Sequence, residues 1–309
     1  MPSANAIILE QPERLSVRPV ELNAPGADDV VVDIEWTGVS TGTERLLFTG
    51  RMPHFPGMGY PLVPGYEAVG RIVDGPRGGE TVFVPGANCF DGLRGLFGAA
   101  ASRLVVPSAR AVTIDPALQD RGTLLALAAT AHHALSAQDA VAPALIAGHG
   151  VLGRLLARLT VALGHPAPTV WEPDPHRRSG ADGYPVIDPR EDDRWDYPSI
   201  YDMSGQAGIL DELLPRLAKG GCIVLAGFYS EPVSFTFPPA FLREARMRVA
   251  AEWAPADLEA VQTLLADGRL SLDGLITHHR GIGQAQEAYA EAFAGGDCLK
   301  MILNWGAQA

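Results

Sequence analysis

A glycine-rich turn between an apolar strand and a helix is the part of this sequence whose spacing most directly indicates chemistry. The turn is Gly148-His149-Gly150-Val151-Leu152-Gly153, between a predicted strand at 144–147 and a predicted helix at 154–163. In that context G-x-G-x-x-G is typical of a dinucleotide site. The first glycine permits a tight turn, the second admits a pyrophosphate, and the third lets the helix pack closely. The helix N-terminus adds unpaired N–H groups for the phosphates. We therefore predict a nicotinamide dinucleotide, bound by Gly148, Gly150, Val151, Leu152 and Gly153.

An acidic residue after the next strand bears on which nicotinamide is used. Glu172 directly follows the predicted strand 169–171. A carboxylate there accepts hydrogen bonds from the 2′-hydroxyl of the adenosine ribose and repels a 2′-phosphate. The sequence therefore predicts NAD. Arg177 and Arg178 leave an alternative open, because they are either solvated residues at the start of the next helix or groups that neutralise a 2′-phosphate.

Composition excludes several classes of protein. The chain has 309 residues and a formal net charge of −12, which disfavours nucleic acid and anionic lipid surfaces. It has no apolar run near the ~20 residues of a membrane span, and its start lacks the features of a secretory signal. Cys89, Cys222 and Cys298 are scattered, which fits a reducing cytoplasm. We expect a cytoplasmic protein in which the charged run 190–196 is a solvated loop.

The pattern of strands and helices divides the chain. Residues 1–125 carry short strands at 30–36, 69–73, 81–84 and 102–106 and predict a β-rich barrel. Residues 126–253 alternate helices with strands at 145–147, 169–171, 200–202, 223–226 and 248–252, which predicts a doubly wound parallel sheet. In this part, Gly220 and Gly221 are read as a helix stop. Residues 254–309 contain a predicted helix at 257–265 and a strand at 300–303. The predicted class is α/β.

Several segments resemble those of the medium-chain dehydrogenase/reductase superfamily. They are Pro-Gly-Tyr-Glu-Ala-Val-Gly at 64–70, Ala-Ala-Thr-Ala at 128–131, and the stretches 200–205, 275–278 and 300–303. The resemblance covers essentially the whole chain. It implies a GroES-like catalytic domain (1–125), a Rossmann NAD-binding domain (126–253) and a C-terminal return to the catalytic domain (254–309). It further implies that Thr130, Ser204 and Gly227 lie at the cofactor and that the protein forms a homodimer.

Within this superfamily, the chain resembles the NAD-dependent dehydrogenases of bacteriochlorophyll synthesis. The segments that carry the resemblance are 38–44, 55–67, 83–90, 146–158 and 225–229. The family oxidises the 3-(1-hydroxyethyl) side chain of a bacteriochlorophyllide to a 3-acetyl group while reducing NAD. The resemblance thus implies a tetrapyrrole substrate, and it leaves open whether a chlorin or a bacteriochlorin is preferred.

The sequence departs from the zinc enzymes of the superfamily at the metal ligands. The Cys, His-Glu pair and second Cys of those enzymes correspond to Ser40, Tyr66 with Glu67, and Ala126, and the four-cysteine structural lobe is absent. Hydroxyls and a single carboxylate bind zinc poorly. We therefore predict an enzyme without zinc.

Without a metal, side chains must accept the proton of the substrate hydroxyl and hydrogen-bond the developing carbonyl oxygen. The resemblance places Tyr66 and Ser40 toward the nicotinamide. Thr43 and Glu44 follow on the same turn, and Glu67 is the nearby base or orienting group. The alternative for each residue is a structural role in a turn or in the barrel.

A long apolar segment at 46–63 is the candidate substrate surface. Phe55, Met58 and Tyr60 are expected to lie against a flat tetrapyrrole, and Arg51 to pair with a propionate carboxylate. The alternative is a loop packed on the barrel or a dimer surface. For the histidines we expect no catalytic role: His132 and His133 pack on a helix or lie at the surface, His278 caps or packs in the C-terminal return, and His149 faces solvent.

Two other functions remain open at this point. One is a zinc-free quinone or enoyl reductase of the same fold that uses NADPH, against which Glu172 argues. The other is a cofactor-binding sensor or assembly protein without turnover.

Overall fold

The computed structural model describes residues 2–54 and 57–306. Its strands, numbered along the chain, are β1 (Ser3–Gln11), β2 (Arg14–Glu21), β3 (Asp29–Val39), β4 (Leu62–Val63), β5 (Ala68–Asp74), β6 (Thr81–Val84), β7 (Arg94–Gly95), β8 (Arg103–Pro107), β9 (Val112–Thr113), β10 (Leu145–Ala147), β11 (Thr169–Trp171), β12 (Val186–Ile187), β13 (Tyr197–Asp202), β14 (Leu217–Leu225), β15 (Arg246–Val249), β16 (His278–Gly281) and β17 (Met301–Asn304). Its α-helices are α1 (Thr43–Phe48), α2 (Leu125–Ser136), α3 (Val151–Ala162), α4 (Leu210–Leu213), α5 (Phe237–Arg243), α6 (Pro255–Ala266) and α7 (Ala285–Phe293).

The chain forms two compact units. The first unit comprises Met1–Ala126 and Ile276–Ala309, and the second comprises Leu127–Leu275. The α/β class predicted from the sequence is confirmed. Among the described residues, no helix combines the length and the apolar character needed to cross a bilayer.

The first unit is built from two β-sheets. Within its described part, one sheet has the order β2-β1-β4-β7 and the other the order β16-β17-β3-β5-β6-β9, with β8 also paired to β3. Strand β17 pairs antiparallel with β3, so that Met301 lies opposite Val39. This pairing places the end of the chain beside the N-terminal segment that holds the candidate catalytic residues.

The second unit contains a six-stranded parallel sheet with the order β12-β11-β10-β13-β14-β15 in its described part. Strand β10 is fully buried, as expected for a strand covered on both faces. The order reverses between β10 and β13. In open sheets of this kind, ligands bind beyond the carboxyl ends of the strands at such a reversal. Strand β10 lies within the predicted strand 144–147, whereas α3 begins at Val151, inside the glycine pattern and before the predicted start at 154.

The C-terminal segment joins the first unit at Ile276, whereas the sequence pattern placed its start at 254. Residues 254–275 belong to the second unit, and polar contacts are among those that join them to it. Asp257, at the start of α6, accepts hydrogen bonds from His132 and His133 on α2, each at 2.8 Å. Arg158 on α3 donates to the carbonyls of Ser271 and Asp273, each at 2.9 Å.

Two local expectations are wrong. Gly220 and Gly221 do not end a helix but lie inside β14. Leu217 faces Tyr197 and Cys222 faces Ser199, so this part of β14 carries a bulge, and Gly220 supplies a positive φ of +72°. The apolar segment 46–63, expected from the sequence to be a structureless loop, has regular structure at both ends, because α1 includes its residues up to Phe48 and β4 includes Leu62 and Val63.

Candidate active site

The three glycines of the turn lie in different structural settings, which explain in different ways why glycine stands at each position. Gly148 has a φ of +102°, which favours glycine. A Cβ atom on Gly153 would lie 2.0 Å from the carbonyl oxygen of Gly148, so α3 packs on the turn only without a side chain there. A Cβ atom on Gly150 would have no protein atom within 4 Å. The first and third glycines are thus required by the protein itself, while the second leaves open space at the N-terminus of α3, where Val151 and Leu152 begin the helix.

Glu172 is buried at the end of β11 and fixes this turn. Its Oε2 atom accepts a hydrogen bond from the backbone N–H of His149 at 3.2 Å, and its Oε1 atom accepts one from Asp174 N–H at 3.0 Å. An ionised carboxylate has about four acceptor sites, so two remain for other donors. The carboxylate can therefore hold the turn and also accept a ribose hydroxyl.

The two arginines that follow Glu172 in the sequence, Arg177 and Arg178, interact with other groups of the protein. Arg178 donates to the carbonyl of Glu172 at 2.7 Å and to the carboxylate of Asp188 at 2.6 Å. Arg177 lies in the 3-10 helix Pro175–Arg177, with its Nε atom 3.9 Å from a carboxylate oxygen of Asp174. Arg178 is thus a structural residue that binds the end of β11, not a solvated residue at the start of a helix.

His149 is fully buried, and the expectation that it faces solvent is wrong. Its Nδ1 atom is 2.7 Å from the carbonyl oxygen of Arg177, and its Nε2 atom is 3.0 Å from the hydroxyl of Tyr184. Burial, together with the charges of Arg154 and Arg158, lowers the pKa of His149 to about 4, although the hydrogen bond to the carbonyl of Arg177 opposes the shift. The imidazole is therefore a neutral structural group beneath the turn.

The loop after β13 is held by a buried carboxylate. Asp202 accepts hydrogen bonds from Ser204 N–H at 2.8 Å and from the Tyr229 hydroxyl at 2.6 Å. Burial raises its pKa. Gly227 N–H donates to the carbonyl of Asp202 at 3.0 Å. Asp202 was missed by the sequence reasoning, although an acid at the carboxyl end of a buried parallel strand is a usable signal. Thr130, also predicted at the cofactor, lies half-buried on α2.

The first unit brings the predicted catalytic residues together. The Tyr66 hydroxyl donates to Ser40 Oγ at 2.7 Å, and the ring of Tyr66 packs edge-on against Phe97 with centroids 5.6 Å apart. Burial, with a further contribution from the carboxylate of Glu67, raises the pKa of Tyr66 well above its ordinary value, while hydrogen bonds to Ser40 and Thr43 oppose the rise. Tyr66 is therefore a neutral hydrogen-bond donor.

Glu44 is buried next to the hydrogen-bonded pair of Tyr66 and Ser40. Its Oε2 atom accepts from the backbone N–H of Ser40 at 2.6 Å, and its Oε1 atom accepts from the Tyr289 hydroxyl at 2.9 Å. Burial, together with the negative charge of Glu67, raises the pKa of Glu44 to about 7, while the hydrogen bonds from Ser40 and Tyr289 and the charge of Lys300 oppose the rise. Glu44 can thus gain or lose a proton near neutral pH.

Glu67 forms a buried ion pair with Lys300, the residue before β17. The Lys300 ammonium donates to Oε2 of Glu67, and the side chains are 1% and 0% exposed. The other oxygen, Oε1, is buried without a hydrogen-bond partner. Lys300 and Tyr289 were not predicted as site residues. A usable signal exists for Lys300, because it is one of only two lysines in the chain and directly precedes an apolar strand.

The side chains at the positions of the zinc ligands do not fit a zinc ion. Ser40 Oγ accepts from Tyr66, Oε2 of Glu67 is held by Lys300, and Ala126 has no donor atom. Throughout residues 2–54 and 57–306, no group of three or more His, Cys, Asp or Glu side chains is arranged to hold a metal.

Part of the candidate substrate segment, residues 46–63, packs against the core of the first unit. Tyr60 donates its hydroxyl to the carbonyl of Leu47, and both Met58 and Tyr60 pack against the core of the unit. Arg51 is exposed. Phe55 lies outside the described residues.

The remaining polar residues singled out in the sequence have structural partners. The carboxylate of Asp257 accepts hydrogen bonds from both His132 and His133, and one from the Ser136 hydroxyl at 3.0 Å.

Within the charged run 190–196, the expectation of a solvated loop is wrong for Asp192. This buried carboxylate accepts from Trp171 Nε1 at 2.6 Å and from the Tyr197 hydroxyl at 2.8 Å.

The chain was compared with known proteins by sequence and by structure. No family model matches the chain. It is 59% identical, over 98% of its length and 99% of the relative, to a 2-desacetyl-2-hydroxyethyl bacteriochlorophyllide A dehydrogenase from Cereibacter sphaeroides. The fold is similar to that of a short chain alcohol dehydrogenase from Escherichia coli complexed with NADH, with a TM-score of 0.82, 22% identity and coverage of 98% of this chain and 99% of that one. It is also similar to a putative zinc-binding dehydrogenase from Sinorhizobium meliloti bound to NADP, with a TM-score of 0.81, 21% identity and coverage of 99% and 100%.

Proposed function

This chain belongs to the family of 2-desacetyl-2-hydroxyethyl bacteriochlorophyllide A dehydrogenases, and we propose that it oxidises the 3-(1-hydroxyethyl) side chain of a bacteriochlorophyllide to a 3-acetyl group with NAD as the oxidant. The observation that carries the proposal is the 59% identity over nearly the full length of both chains. The enzyme is a dehydrogenase that acts on a hydroxyl group and uses a nicotinamide cofactor. The substrate and the choice of NAD are the proposed parts.

The second unit is proposed to bind the cofactor. The residues that would hold it are Gly148, Gly150, Val151, Leu152, Gly153, Glu172, Thr130, Ser204 and Gly227. The open space over Gly150 suits a pyrophosphate, and the spare acceptor sites of Glu172 suit a ribose diol. When bound, NAD accepts the hydride from the substrate carbon. The ion pair of Arg178 with Asp188 supports NAD over NADP. A guanidinium that already has an anionic partner is less suited to neutralise the 2′-phosphate of NADP.

The first unit is proposed to handle the oxygen and the proton of the substrate. The Tyr66 phenol donates to Ser40 Oγ at 2.7 Å, which orients the Ser40 hydroxyl so that its own proton can be donated to the oxygen as it becomes a carbonyl. Tyr66 keeps its own proton because its pKa is raised by burial. Glu44 supplies a carboxyl group that titrates near neutral pH, and Thr43 is hydrogen-bonded to Tyr66. These groups can perform the reaction without a metal ion.

Zinc independence is the second part of this proposal, and the bonding of Ser40 and Glu67 to other side chains supports it. Metal analysis of the active enzyme tests it directly. We expect well under one zinc ion per chain and unchanged turnover after treatment with a chelator. Stoichiometric zinc whose removal abolishes turnover would contradict the proposal.

The segment around Arg51 is proposed to contact the tetrapyrrole, together with Phe55, Met58 and Tyr60. Arg51 is exposed, and an exposed guanidinium suits a propionate carboxylate. Met58 and Tyr60 are only half-buried, which leaves apolar surface for a flat macrocycle.

A homodimer is proposed from the surface of the second unit, and a location in the cytoplasm is proposed from the scattered cysteines. Helix α5 and strand β15 expose large apolar side chains, namely Phe237, Phe241, Leu242 and Val249. Within the described residues, β15 ends the order of the parallel sheet. Light scattering is expected to give twice the chain mass of 32.8 kDa. Val249→Lys should reduce that mass, whereas Val73→Lys, at an exposed position of the first unit, should not.

One spectrum recorded over time tests the main proposal. Chelator-treated enzyme is mixed with NAD and a 3-hydroxyethyl bacteriochlorophyllide. We expect NADH absorbance to grow together with a red shift of the long-wavelength pigment band. Binding of NAD without either change would favour a non-catalytic cofactor-binding protein. Activity only with NADPH and an enone or quinone would favour a reductase.

A further inference from the structure

Arg154 is a buried cation beside the glycine turn. It follows Gly153 in α3 and is only 5% exposed. Among the described residues, its hydrogen-bond acceptors are backbone carbonyls: Nε donates to that of His149 at 3.0 Å, and Nη2 donates to that of Arg177 at 2.9 Å. Burying a guanidinium without a paired anion is costly. The residues proposed to hold the cofactor do not account for this cation.

The fold makes room for the Arg154 guanidinium. A Cβ atom on Gly180, whose φ is +78°, would lie 2.4 Å from Nη1 of Arg154. The guanidinium thus occupies the space that a side chain at position 180 would need. Because the carbonyl oxygen of Arg177 also lies 2.7 Å from Nδ1 of His149, the side chains of Arg154 and His149 both bind the segment that follows Glu172.

The backbone of His149 is held at both of its polar groups by charged side chains. Its N–H donates to Glu172 at 3.2 Å, and its carbonyl accepts from Arg154 at 3.0 Å. In a trans peptide the C=O and N–H groups point in opposite directions. The N–H of Gly150, which shares a peptide with this carbonyl, therefore points away from Arg154. No described residue accepts a hydrogen bond from this N–H, and a Cβ atom on Gly150 would meet no protein atom within 4 Å, so the N–H is available to a ligand.

The charge of Arg154 suits an anion at this N–H. Burial lowers the pKa of the guanidinium, and the charges of Arg158 and Arg177 add to the decrease. Tyr184 and Glu172 oppose it. An arginine side chain nevertheless stays protonated at neutral pH. Arg154 therefore keeps its positive charge beside the N-terminus of α3, where a pyrophosphate would supply the anion that the guanidinium lacks.

We infer that Arg154 is a positioning residue of the proposed cofactor site: it fixes the His149 carbonyl so that Gly150 N–H faces the pyrophosphate, and its buried charge attracts that anion. The inference rests on the proposed function, because it concerns the pyrophosphate of the proposed NAD. Arg154 bonds the turn and the Arg177 carbonyl, so we expect it to act on cofactor affinity and not on hydride transfer. The glycine pattern ends at Gly153 and does not specify this residue.

The experiment compares the Kd values of the full chain for NAD, ADP-ribose and adenosine, the last measured by competition with NADH. Only adenosine lacks the pyrophosphate. Arg154→Met keeps an unbranched side chain but removes the charge and the donors. We expect its Kd for NAD and ADP-ribose to rise by about tenfold or more, and its Kd for adenosine to change by less than about twofold. The KM for NAD should rise while kcat stays unchanged.

Two further variants separate charge from packing. Arg154→Lys keeps a cation and should bind NAD more tightly than Arg154→Gln, which keeps only neutral donors. Arg158→Met is the matched control, because Arg158 lies one turn further along α3 and donates to the carbonyls of Ser271 and Asp273. This control should leave all three Kd values unchanged.

Wild-type affinity for NAD in Arg154→Met would overturn the inference, as would an equal loss of affinity for all three ligands, which indicates a general distortion of the unit. If Arg154→Met does not fold, the comparison of Arg154→Lys with Arg154→Gln decides, and equal Kd values for NAD would then overturn the inference. A wild-type enzyme that binds no nicotinamide dinucleotide would overturn the proposed function instead.

Discussion

The Lys300 ammonium donates to the Glu67 carboxylate across 233 residues of sequence, inside a unit formed by the two ends of the chain. Strand β17 reaches this position because it pairs with β3, the strand that contains Gly38. Glu44 is likewise bonded by Tyr289 on α7. The C-terminal segment thus supplies two of the groups that surround the proposed catalytic residues.

The first prediction concerns Gly38. Gly38→Ala should separate Lys300 from Glu67, because the new methyl group would occupy the position of Oε2. We expect a loss of about 2–4 kcal/mol in the free energy of unfolding, measured by urea denaturation, and a lower kcat. Gly78→Ala is the matched control, since its Cβ would approach only one backbone oxygen, at 3.9 Å. A fully stable and active Gly38→Ala enzyme would show that the pair tolerates displacement.

The second prediction concerns the hydroxyl pair. Tyr66→Phe removes the donor to Ser40 Oγ and should lower kcat by about 10²-fold, while the Kd for NAD measured by fluorescence stays unchanged. Tyr197→Phe, which removes a phenol bonded to Asp192 in the other unit, should lower stability without this effect on kcat. Full activity of Tyr66→Phe would exclude Tyr66 from the reaction.

The third prediction concerns the choice of cofactor. Glu172→Ser should weaken NAD binding, because the carboxylate holds the glycine turn, and should lower the preference for NAD over NADP by about tenfold. The ratio of kcat/KM for the two cofactors measures this. Asp257→Asn removes another buried carboxylate of the second unit and should leave the ratio unchanged. An unchanged ratio in Glu172→Ser would place the selectivity elsewhere.

The fourth prediction concerns pH and His149. Its pKa is lowered from 6.5 to about 4 in the folded protein, so the unfolded chain binds the proton more readily. The stabilising contribution of the neutral imidazole is complete above pH 6.5 and is lost as the pH falls toward 4. A shift of this size corresponds to at most about 3 kcal/mol.

Unfolding by urea at pH 7.5 and pH 5 should therefore show a smaller dependence on pH for His149→Gln than for the wild type. His165→Gln, at an exposed position, should behave like the wild type. The same dependence in all three proteins would mean that His149 is not the titrating group.

The local sequence determined the half of this protein that is proposed to bind the cofactor. The strand, the glycine turn, α3 and Glu172 follow one another within about 30 residues. The positive φ of Gly148 and the close approach of Gly153 to the Gly148 carbonyl are both local to the turn. Tyr66 and Ser40 were identified because they stand at positions of known zinc ligands, and the tertiary structure brings their hydroxyls into contact.

Only the tertiary structure decided the rest. No short-range pattern could pair Lys300 with Glu67 or Tyr289 with Glu44, because β17 must first add to β3 and α7 must pack beside it. His149 looked solvent-facing because its neighbours are glycines, yet Tyr184 and Arg177 enclose it. Burial is a property of the assembled fold, and burial is what moves the pKa values of Glu44, Tyr66 and His149.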